Sequence, residues 1–441
     1  MNIAVFGLGK LGSPMVAVFA AAGHTVIGVD VNERYVEAVN KGQAPVEEPG
    51  LQALLTEHQS RISATTNGYD AAKLPEAIFI VVPTPSREDG LFDNNYICEC
   101  LRPIGEAILY TGEPKRIIIT STVVPRGTVS SMASEILPAL RFTGVPYTKF
   151  DLLYNPEFIA LGTVIHDMRH PDYILIGGRL GACKWLATFW EGIVLNNPPV
   201  HCMTWLNAEL TKILQNVLVT QKVSAANMVG NICERFPGAD AQAVLRAIGD
   251  DRRIGQAYLQ AATAYGGPCF PRDARALSQV ARAVGAPAYM AGATRVTNDH
   301  QTTNLVNRVL GFLEDLPERT VAVLGLTYKP GTSVCDDSAA IQLVNALSDA
   351  GLDVLAYDPS GHREASHCVS SAVRLAESME ECISGAAVVV IAVPWPEFAD
   401  LDPTWLERAN YRPVVLDCWR MYKPTFFAAA ADYAAPGLGT G

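Results

Sequence analysis

One short stretch near the N-terminus limits the fold of this chain more than any other feature. The apolar run Asn2 to Phe6 predicts a buried strand, and Gly7-Leu8-Gly9-Lys10-Leu11-Gly12 follows it directly. An apolar helical segment comes next, and a second strand ends at Asp30. In such a unit the first glycine permits a tight turn, the second lets a pyrophosphate approach the backbone, and the third lets the helix pack on the strand. The unit therefore predicts a dinucleotide-binding domain with phosphate at a helix N-terminus.

The residues around this unit predict which dinucleotide is bound. Asp30 lies 23 residues after Gly7, where a carboxylate can accept hydrogen bonds from the adenosine ribose. A carboxylate there repels a 2′-phosphate, so the sequence favours NAD over NADP, with Arg34 as a further candidate contact. Two later apolar strands end at Pro83-Thr84 and at Thr122. Ligands of open parallel sheets lie at the carboxyl ends of the strands, so these residues are cofactor candidates, although threonines are also ordinary turn residues.

A further strand and a long helix carry ionisable groups. Leu152 to Tyr154 predicts a strand that places Glu157 at its carboxyl end. From Met203 to Glu234 there is no proline and no glycine before Gly230, and this pattern predicts one long helix. Lys212 and Asn216 share a helix face with Glu209 because their spacing is three and four. Such a face can simply be solvated, but apolar neighbours predict partial burial, where a lysine is costly without a partner or a function.

The stretch Ala264 to Asp273, AYGGPCFPRD, can present a reactive thiol. Gly266 and Gly267 precede Cys269 and allow a ligand to approach the main chain, while the flanking prolines stiffen the segment. Asp273 places a carboxylate four residues later. A buried structural cysteine in a tight loop is the alternative interpretation, since free cysteine is among the most buried residue types.

Composition excludes several function classes. The net charge is −11 and there is no run of Lys and Arg, so we expect no nucleic-acid partner. No stretch approaches the about 18 apolar residues of a membrane helix, and the N-terminal apolar run does not resemble a signal peptide. The ten cysteines lack the spacing of a zinc site, and we expect free thiols in a reducing compartment and no metal. These observations favour a cytoplasmic protein.

The C-terminal third repeats the strand–loop–helix pattern without a complete glycine signature. Val321 to Leu324 predicts a strand, and a loop from Gly325 to Pro330 follows. The sequence therefore predicts an α/β fold in which two Rossmann-like doubly wound domains are joined by a central helical domain with a long connecting helix. The expected domains are an NAD-binding domain (1–200), a central helical domain (201–300) and a C-terminal α/β domain with a second nucleotide-binding site (301–441). The Ala- and Gly-rich tail from Ala428 is expected to be poorly ordered.

With these motifs in order, the chain resembles the UDP-glucose/GDP-mannose dehydrogenase family from Met1 to about Tyr422. The motifs that carry the resemblance are GLGKLG (7–12), EEPGL (47–51), VPTPS (82–86), STV (121–123), NPEF (155–158), NAELTKILQN (207–216), YGGPCFPRD (265–273) and GLTYKPGT (325–332). Several ordered motifs are far more specific than any one of them. The resemblance favours Cys269 as a nucleophile over the structural alternative.

The resemblance implies a four-electron oxidation. The C6 alcohol of a nucleotide sugar becomes a carboxylate with two NAD, and UDP-glucose is the first candidate substrate. The Cys269 thiolate adds to the intermediate aldehyde, the thiohemiacetal loses a second hydride, and water hydrolyses the resulting thioester. A nearby cation stabilises a thiolate, and Lys212 matches the family's catalytic lysine.

The resemblance also implies roles for other polar residues. Asn216 matches an oxyanion and sugar contact, and Asp273 matches a carboxylate that shares acid–base work with water. Glu157 matches a residue implicated in thioester hydrolysis, and Thr122 one that holds a water. Whether Lys212 or Asp273 is the first base stays open, because coupled groups titrate together.

The expected binding residues extend beyond the catalytic groups. The expected cofactor contacts are Gly7, Leu8, Gly9, Lys10, Leu11, Gly12, Asp30, Arg34, Pro83, Thr84 and Thr122. The expected substrate contacts are Glu157, Phe158, Ile159, Lys212, Asn216, Arg253, Tyr265, Gly266, Lys329 and Arg420. In the family the equivalent of Arg253 reaches the neighbouring subunit's substrate, which implies a homodimer that shares sites through the long helix.

Three departures from the family pattern leave the sugar and base less certain than the reaction. Tyr35 stands where relatives often have a cofactor-contacting Lys or Arg, and Asp336 replaces an Arg. Trp419 lies in the segment DCWR (417–420), which replaces the usual DGRN and leaves Arg420 less certain as a nucleotide contact. GDP-mannose, dTDP-glucose and UDP-N-acetylhexosamines are therefore alternative substrates. A two-electron β-hydroxyacid dehydrogenase and a non-catalytic NAD-binding protein are alternatives of other classes, but neither needs Lys212 and Cys269 together.

Overall fold

The computed structural model describes residues 1–125, 140 and 142–439, and the chain forms two compact units. Unit 1 consists of residues 1–214 and 275–287, and unit 2 consists of residues 215–274 and 288–441.

Unit 1 is built on one twisted sheet with helices on its faces. Its strands are β1 (Asn2–Phe6), β2 (Thr25–Val29), β3 (Ile62–Thr65), β4 (Ala77–Ile80), β5 (Lys115–Ile119), β6 (Phe150–Tyr154), β7 (Ile174–Gly177) and β8 (Val200–Met203). Helices that the structure describes wholly within unit 1 are α1 (Gly12–Ala21), α2 (Glu33–Asn40), α3 (Leu51–Glu57), α4 (Gly68–Ala71), α5 (Asn95–Thr111), α6 (Val164–Arg169) and α7 (Leu180–Glu191). Strands β4 and β7 lack polar side chains and are buried at every residue, as expected where helices cover both faces of a largely parallel sheet.

The strand order places the ends of β1 and β4 side by side. The order is β3-β2-β1-β4-β5-β6-β7-β8, and neighbouring strands are parallel except where β7 meets β6. The chain leaves β1 for β2 on one side and later returns to β4 on the other. A crevice opens at such a reversal, at the carboxyl ends of the strands, so the glycine loop after β1 and the segment after β4 flank the expected ligand site.

The long helix α8 (Trp205–Cys233) confirms the helix predicted between Met203 and Glu234. It begins in unit 1 and continues into unit 2. Unit 2 also contains α9 (Ala241–Gly249) and α11 (Tyr289–Glu314), while α10 (Phe270–Ala283) begins in unit 2 and continues into unit 1. These helices provide rigid elements on which side chains of the site can be held.

The sheet of unit 2 is parallel throughout its described strands. They are β9 (Thr320–Leu324), β10 (Asp353–Tyr357), β11 (Arg374–Leu375), β12 (Val388–Ile391), β13 (Val414–Asp417) and β14 (Asp432–Ala434), in the order β11-β10-β9-β12-β13-β14. The helices around it are α12 (Ala339–Asp349), α13 (His362–Ala365) and α14 (Met379–Ile383). β10 and β12 lie on the two sides of β9, just as β2 and β4 lie on the two sides of β1 in unit 1.

The expectation of a poorly ordered tail is wrong. β14 adds to the sheet, and Phe427 and Ala435 are fully buried. Beyond β14, Gly437 donates its N–H to Glu234 and accepts a hydrogen bond from the Ala241 N–H. Small residues allow the tail to approach α8 closely, because Gly437 packs against Gly230. Composition alone therefore misjudged a segment whose small residues serve close packing.

The predicted fold class is confirmed: two Rossmann-like parallel sheets occur, with helices α8 to α11 between them in the sequence. The predicted division at residues 200 and 300 stays a prediction. None of the helices among the described residues is both long enough and apolar enough to span a membrane.

Candidate active site

The glycine loop of unit 1 is shaped for close approach of backbone to backbone. Gly7 has φ 101°, and a Cβ there would collide with the Val81 carbonyl oxygen. A Cβ on Gly12 would collide with the Gly7 carbonyl. At Gly9, by contrast, a Cβ would meet no atom of the described residues within 4 Å. The first and third glycines are thus required by the protein's own packing, whereas the second borders open space at the start of α1.

Asp30 lies beside this loop, at the end of β2. Its Oδ2 accepts the Leu8 N–H at 2.6 Å, and its Oδ1 accepts the Asn32 N–H at 2.8 Å. The carboxylate is half-buried, and each oxygen keeps a second lone pair for a ligand. The side chains of Lys10, in the glycine loop, and of Arg34, four residues after Asp30, are exposed. This arrangement is compatible with a dinucleotide, and the contacts of Gly9 with a pyrophosphate and of Asp30 with a ribose stay predictions.

The ends of β4 and β5 are joined through side chains. The Thr84 hydroxyl donates to the Thr122 carbonyl at 2.7 Å, and the Ser121 hydroxyl donates to the Val82 carbonyl at 2.6 Å. Thr84 is buried, whereas Pro83 is exposed. The structure therefore brings together two of the predicted cofactor residues, Thr84 and Thr122, at the edge that also carries the glycine loop.

Glu157 and Lys212 lie close together in unit 1. The Lys212 Nζ donates to the Glu157 backbone carbonyl at 2.6 Å and lies 4.4 Å from the centre of the Phe158 ring. Lys212 is 9% exposed, so its ammonium is largely removed from water. Burial raises the pKa of Glu157 to about 7, although the charge of Lys212 acts in the opposite direction. A carboxyl group with such a pKa can accept a proton near neutral pH.

The loop that carries Glu157 is anchored by a residue that the sequence analysis did not single out. Asn155 is buried; its Nδ2 donates to the Leu175 carbonyl at 3.0 Å, and its Oδ1 accepts the Trp190 Nε1–H at 2.7 Å. Its backbone N–H bonds to the Ile119 carbonyl. The position of Asn155 in NPEF was visible, but its partner Trp190 lies 35 residues away in the chain.

In unit 2, Asp273 is fully buried and paired. The Asn216 Nδ2 donates to its Oδ2 at 2.6 Å, and the Arg272 Nε donates to its Oδ1 at 3.1 Å. Asn216 lies on α8 one turn after Lys212. A buried carboxylate without such partners would be strongly disfavoured. The structure thus brings together two of the predicted catalytic residues, Asn216 and Asp273.

Cys269 is exposed and directly precedes α10. Its carbonyl accepts the Asp273 N–H at 2.9 Å, which closes the first helical turn. The positive end of a helix dipole favours an anion such as a thiolate. The side chain therefore lies where a nucleophilic thiol can be stabilised and reached.

The segment before Cys269 runs against the loop after β9. A Cβ on Gly266 would collide with the Asp337 carbonyl, which accepts the Gly267 N–H at 3.1 Å. Gly267 has φ 87° and packs on the Tyr328 ring. Only glycine fits both positions. Lys329, the next residue after Tyr328, is half-buried beside this contact.

Two expected substrate residues make contacts within unit 2. Arg253 is exposed and binds Asp251, with Nη2 2.5 Å from Oδ2. The Arg420 guanidinium is largely buried, donates to Asp240 Oδ1 at 2.6 Å and to the Pro436 carbonyl at 3.0 Å. Their roles in substrate binding stay predictions. Among the described residues, no group of three or more His, Cys, Asp and Glu side chains could hold a metal ion.

Models of one protein family match three parts of the chain. The NAD binding domain of the UDP-glucose/GDP-mannose dehydrogenase family matches residues 1–189. The central domain of that family matches residues 206–300, and its UDP binding domain matches residues 322–424.

Individual relatives are similar over nearly the whole chain. A UDP-glucose 6-dehydrogenase of Haloferax volcanii is 37% identical over 91% of this chain and 93% of its own. A UDP-glucose 6-dehydrogenase of Rhizobium meliloti is 33% identical over 96% of both chains. The solved structure of a UDP-glucose dehydrogenase from Pyrobaculum islandicum aligns with a TM-score of 0.87 and 30% identity, over 99% of this chain and 98% of that one.

The open space at Gly9 makes a sharp test of NAD binding possible. A methyl group at Gly9 meets no described atom of the protein, so Gly9→Ala should fold normally, but it would occupy the path of the pyrophosphate. We expect the Kd for NAD, measured by calorimetry, to rise about 10–100-fold, which corresponds to overpacking of about 1–3 kcal/mol.

The matched control is Gly181→Ala, since a Cβ at Gly181 also meets no described atom within 4 Å. This control should leave the Kd unchanged and should not lower the unfolding midpoint, since alanine is a better helix former than glycine. Equal NAD affinity in the Gly9→Ala and Gly181→Ala variants would contradict the placement of the pyrophosphate.

Proposed function

Because the chain belongs to the UDP-glucose/GDP-mannose dehydrogenase family and is an NAD-dependent nucleotide-sugar dehydrogenase, we propose that it oxidises UDP-glucose to UDP-glucuronate. The proposed substrate is supported by the names of relatives at 37% and 33% identity. The observation that carries the four-electron reaction is the exposed Cys269 at the start of α10, in the same unit as the buried Asn216–Asp273 pair. An alcohol dehydrogenation that stopped at the aldehyde would need no such thiol.

The residues of unit 1 are proposed to serve proton transfer and hydrolysis. The glycine loop and Asp30 would hold NAD, which would supply the hydride acceptor for each of the two oxidations. Lys212, held by the Glu157 carbonyl, presents a positive charge that can stabilise a developing oxyanion. Glu157 takes a proton from the water that attacks the thioester, and Thr122 helps to hold that water. Support comes from the pKa of Glu157, which burial raises to about 7, so that its carboxylate can accept a proton near neutral pH.

The residues of unit 2 are proposed to carry the covalent steps. The Cys269 sulfur bonds to the aldehyde carbon and forms a thiohemiacetal, which loses a hydride from the same carbon and becomes a thioester. Hydrolysis breaks the carbon–sulfur bond, so the thiol is regenerated and the acid leaves. Asn216 donates to the substrate oxygen, and Asp273 shares proton transfer with water. The hydrogen bond between Asn216 and Asp273 fixes the orientation of both side chains, so that both are positioned for these roles.

Substrate binding is proposed to use residues next to these groups. Phe158 and Ile159 follow Glu157, and Tyr265 and Gly266 precede the thiol. Lys329 follows the tyrosine on which Gly267 packs, so it is a candidate for a diphosphate contact. Arg420 would have to leave Asp240 to reach a nucleotide, and we therefore favour Lys329 over Arg420.

The chain is further proposed to form a homodimer through unit 2. A groove between α8 and α11 is lined by Met228, Ile232 and Val296, which are 50%, 52% and 64% exposed. Phe236 is 61% exposed at the same groove. Apolar patches of this kind mark interaction surfaces. A partner chain there could bring its Arg253 toward the neighbouring substrate site.

For the dimer, we expect sedimentation equilibrium to give twice the monomer mass of 47.4 kDa. Ile232→Asp should produce monomers, because a charge in an apolar interface is costly. Leu195→Asp, at a residue 59% exposed in unit 1, should leave the mass unchanged. A monomeric wild-type chain at micromolar concentration would overturn the proposal.

For the nucleophile, Cys269→Ser should lower the rate of acid formation from UDP-glucose by at least about 10³-fold, since a principal group of the reaction is lost. The Kd for NAD should stay within about twofold, because the glycine loop is untouched. Cys368→Ser, which alters another exposed thiol of unit 2, is the control and should retain normal turnover. Acid formation at the wild-type rate by Cys269→Ser would exclude the covalent mechanism.

For the hydrolytic base, the pH profile is informative. The pKa of Glu157 is raised from 4.5 to about 7, so the carboxylate needed as a base appears as the pH rises through about 7. We expect the rate of thioester hydrolysis, measured by rapid quench, to rise over that pH range. This rising limb of the pH profile should disappear in Glu157→Gln. Glu191→Gln, at an exposed residue of α7, should keep the limb. An unchanged limb in Glu157→Gln would assign the base to another group.

A further inference from the structure

The chain segment that leads into the proposed nucleophile is buried but belongs to no helix or strand. Residues Ala261 to Tyr265 are each less than 9% exposed. Their backbone N–H and C=O groups therefore cannot rely on water. A buried polar group left without a partner destabilises the fold, so the segment needs hydrogen bonds from elsewhere in the fold.

One set of these hydrogen bonds comes from α8. The Ala262 N–H donates to the Asn227 Oδ1 at 2.8 Å, and the Asn227 Nδ2 donates to the Thr263 carbonyl at 3.1 Å. Asn227 is 1% exposed. Its amide therefore uses a donor and an acceptor on two successive residues of the segment.

A second set comes from α11. The Tyr265 N–H donates to the Asn298 Oδ1 at 2.8 Å, and the Asn298 Nδ2 donates to the Tyr265 carbonyl at 3.0 Å. Three residues later on the same helix, the Gln301 Nε2 donates to the Ala262 carbonyl at 2.6 Å. Asn298 and Gln301 are both buried.

The three amides replace the strand partner that the segment lacks. A primary amide carries a donor and an acceptor at nearly the spacing of a peptide group, so Asn298 pairs with both polar groups of Tyr265 as a neighbouring strand would. Because the amides extend from two long helices, the segment is held by rigid elements. Four residues after Tyr265 the chain reaches Cys269, and between them Gly267 is fixed by the Asp337 carbonyl.

We propose that Asn227, Asn298 and Gln301 form an amide clamp whose function is to position the Cys269 thiol for attack on the aldehyde. The clamp residues are positioning residues, since their amide groups bond to the backbone of 262–265 rather than to the thiol. The proposal rests on the proposed role of Cys269. The clamped segment must hold the sulfur within bonding distance of the aldehyde, which would otherwise diffuse away.

The decisive variant is Asn298→Ala, which removes both hydrogen bonds to Tyr265. A displacement of about 1 Å in a reacting group can cost about 10²-fold in rate, and we expect kcat for acid formation to fall by about 10–10²-fold. A readout specific to positioning is the aldehyde. When semicarbazide is present during turnover, the variant should release trappable sugar aldehyde, whereas the wild-type enzyme should release little.

Asn304→Ala is the matched control, because Asn304 lies on the same helix and its Nδ2 donates at 2.9 Å to Asn231, away from the 261–265 segment. It should lose comparable hydrogen bonding without releasing aldehyde. If Asn298→Ala does not fold, Asn298→Ser takes its place, since a hydroxyl can serve only one of the two Tyr265 groups at a time. Aldehyde release and kcat equal to those of Asn304→Ala, in whichever Asn298 variant folds, would overturn the clamp.

The failure of the clamp can be told apart from the failure of the proposed function. If Cys269→Ser still forms acid at the normal rate, the covalent mechanism fails whatever the Asn298 variants do. If Cys269→Ser is inactive and the Asn298 variants behave as Asn304→Ala does, the mechanism stands and only the clamp is rejected.

Discussion

The buried polar backbone of irregular segments is the constraint on which this site depends. Two of the groups proposed to do chemistry, Glu157 and Cys269, lie on loops, and the chain that leads to them is held in the interior, where unpaired N–H and C=O groups are costly. Side chains provide the missing partners. Asn155 anchors the loop of Glu157, Ser121 anchors the turn after β4, and the amide clamp anchors the segment before Cys269.

In each unit, a carboxylate after the second strand accepts a hydrogen bond from the loop after the first strand, but the two carboxylates differ in exposure. In unit 1, Asp30 follows β2 and accepts the Leu8 N–H of the loop after β1. In unit 2, Asp358 follows β10 and accepts the Leu326 N–H of the loop after β9. Asp358 is only 2% exposed and accepts further hydrogen bonds from the backbone or side chains of Thr327, Ser360, Gly361 and Trp395. Asp30 remains half-exposed, so unit 1 keeps a carboxylate that a ribose can reach.

The sequence was informative where chemistry depends on local pattern. The glycine signature and the alternation of strands and helices predicted both sheets, and the lack of Gly and Pro predicted α8 to within two residues at its start and one at its end. The types of residue around Cys269 also indicated a thiol on a stiff turn. These features require only neighbours in the chain, which periodicity and turn chemistry describe.

What the sequence could not predict depends on distant partners. Asn298 and Gln301 lie on one face of α11, but their spacing cannot reveal that the opposing surface is the backbone before Cys269. The expected nucleotide contact of Arg420 stays a prediction, but the sequence did not show that Asp240, 180 residues earlier, binds its guanidinium. The tail after Ala428 resembled a disordered terminus because composition does not show that Gly437 fits against Gly230. In each case tertiary packing determined the outcome.

We propose that this one enzyme carries out two successive oxidations of a nucleotide sugar. The most direct test is the yield of NADH from a limiting amount of UDP-glucose in the presence of excess NAD. Two successive oxidations should yield two NADH for each UDP-glucose consumed. A yield of one would show that the reaction ends at the aldehyde and would contradict the role given to Cys269, and no NADH at all would contradict UDP-glucose as the substrate.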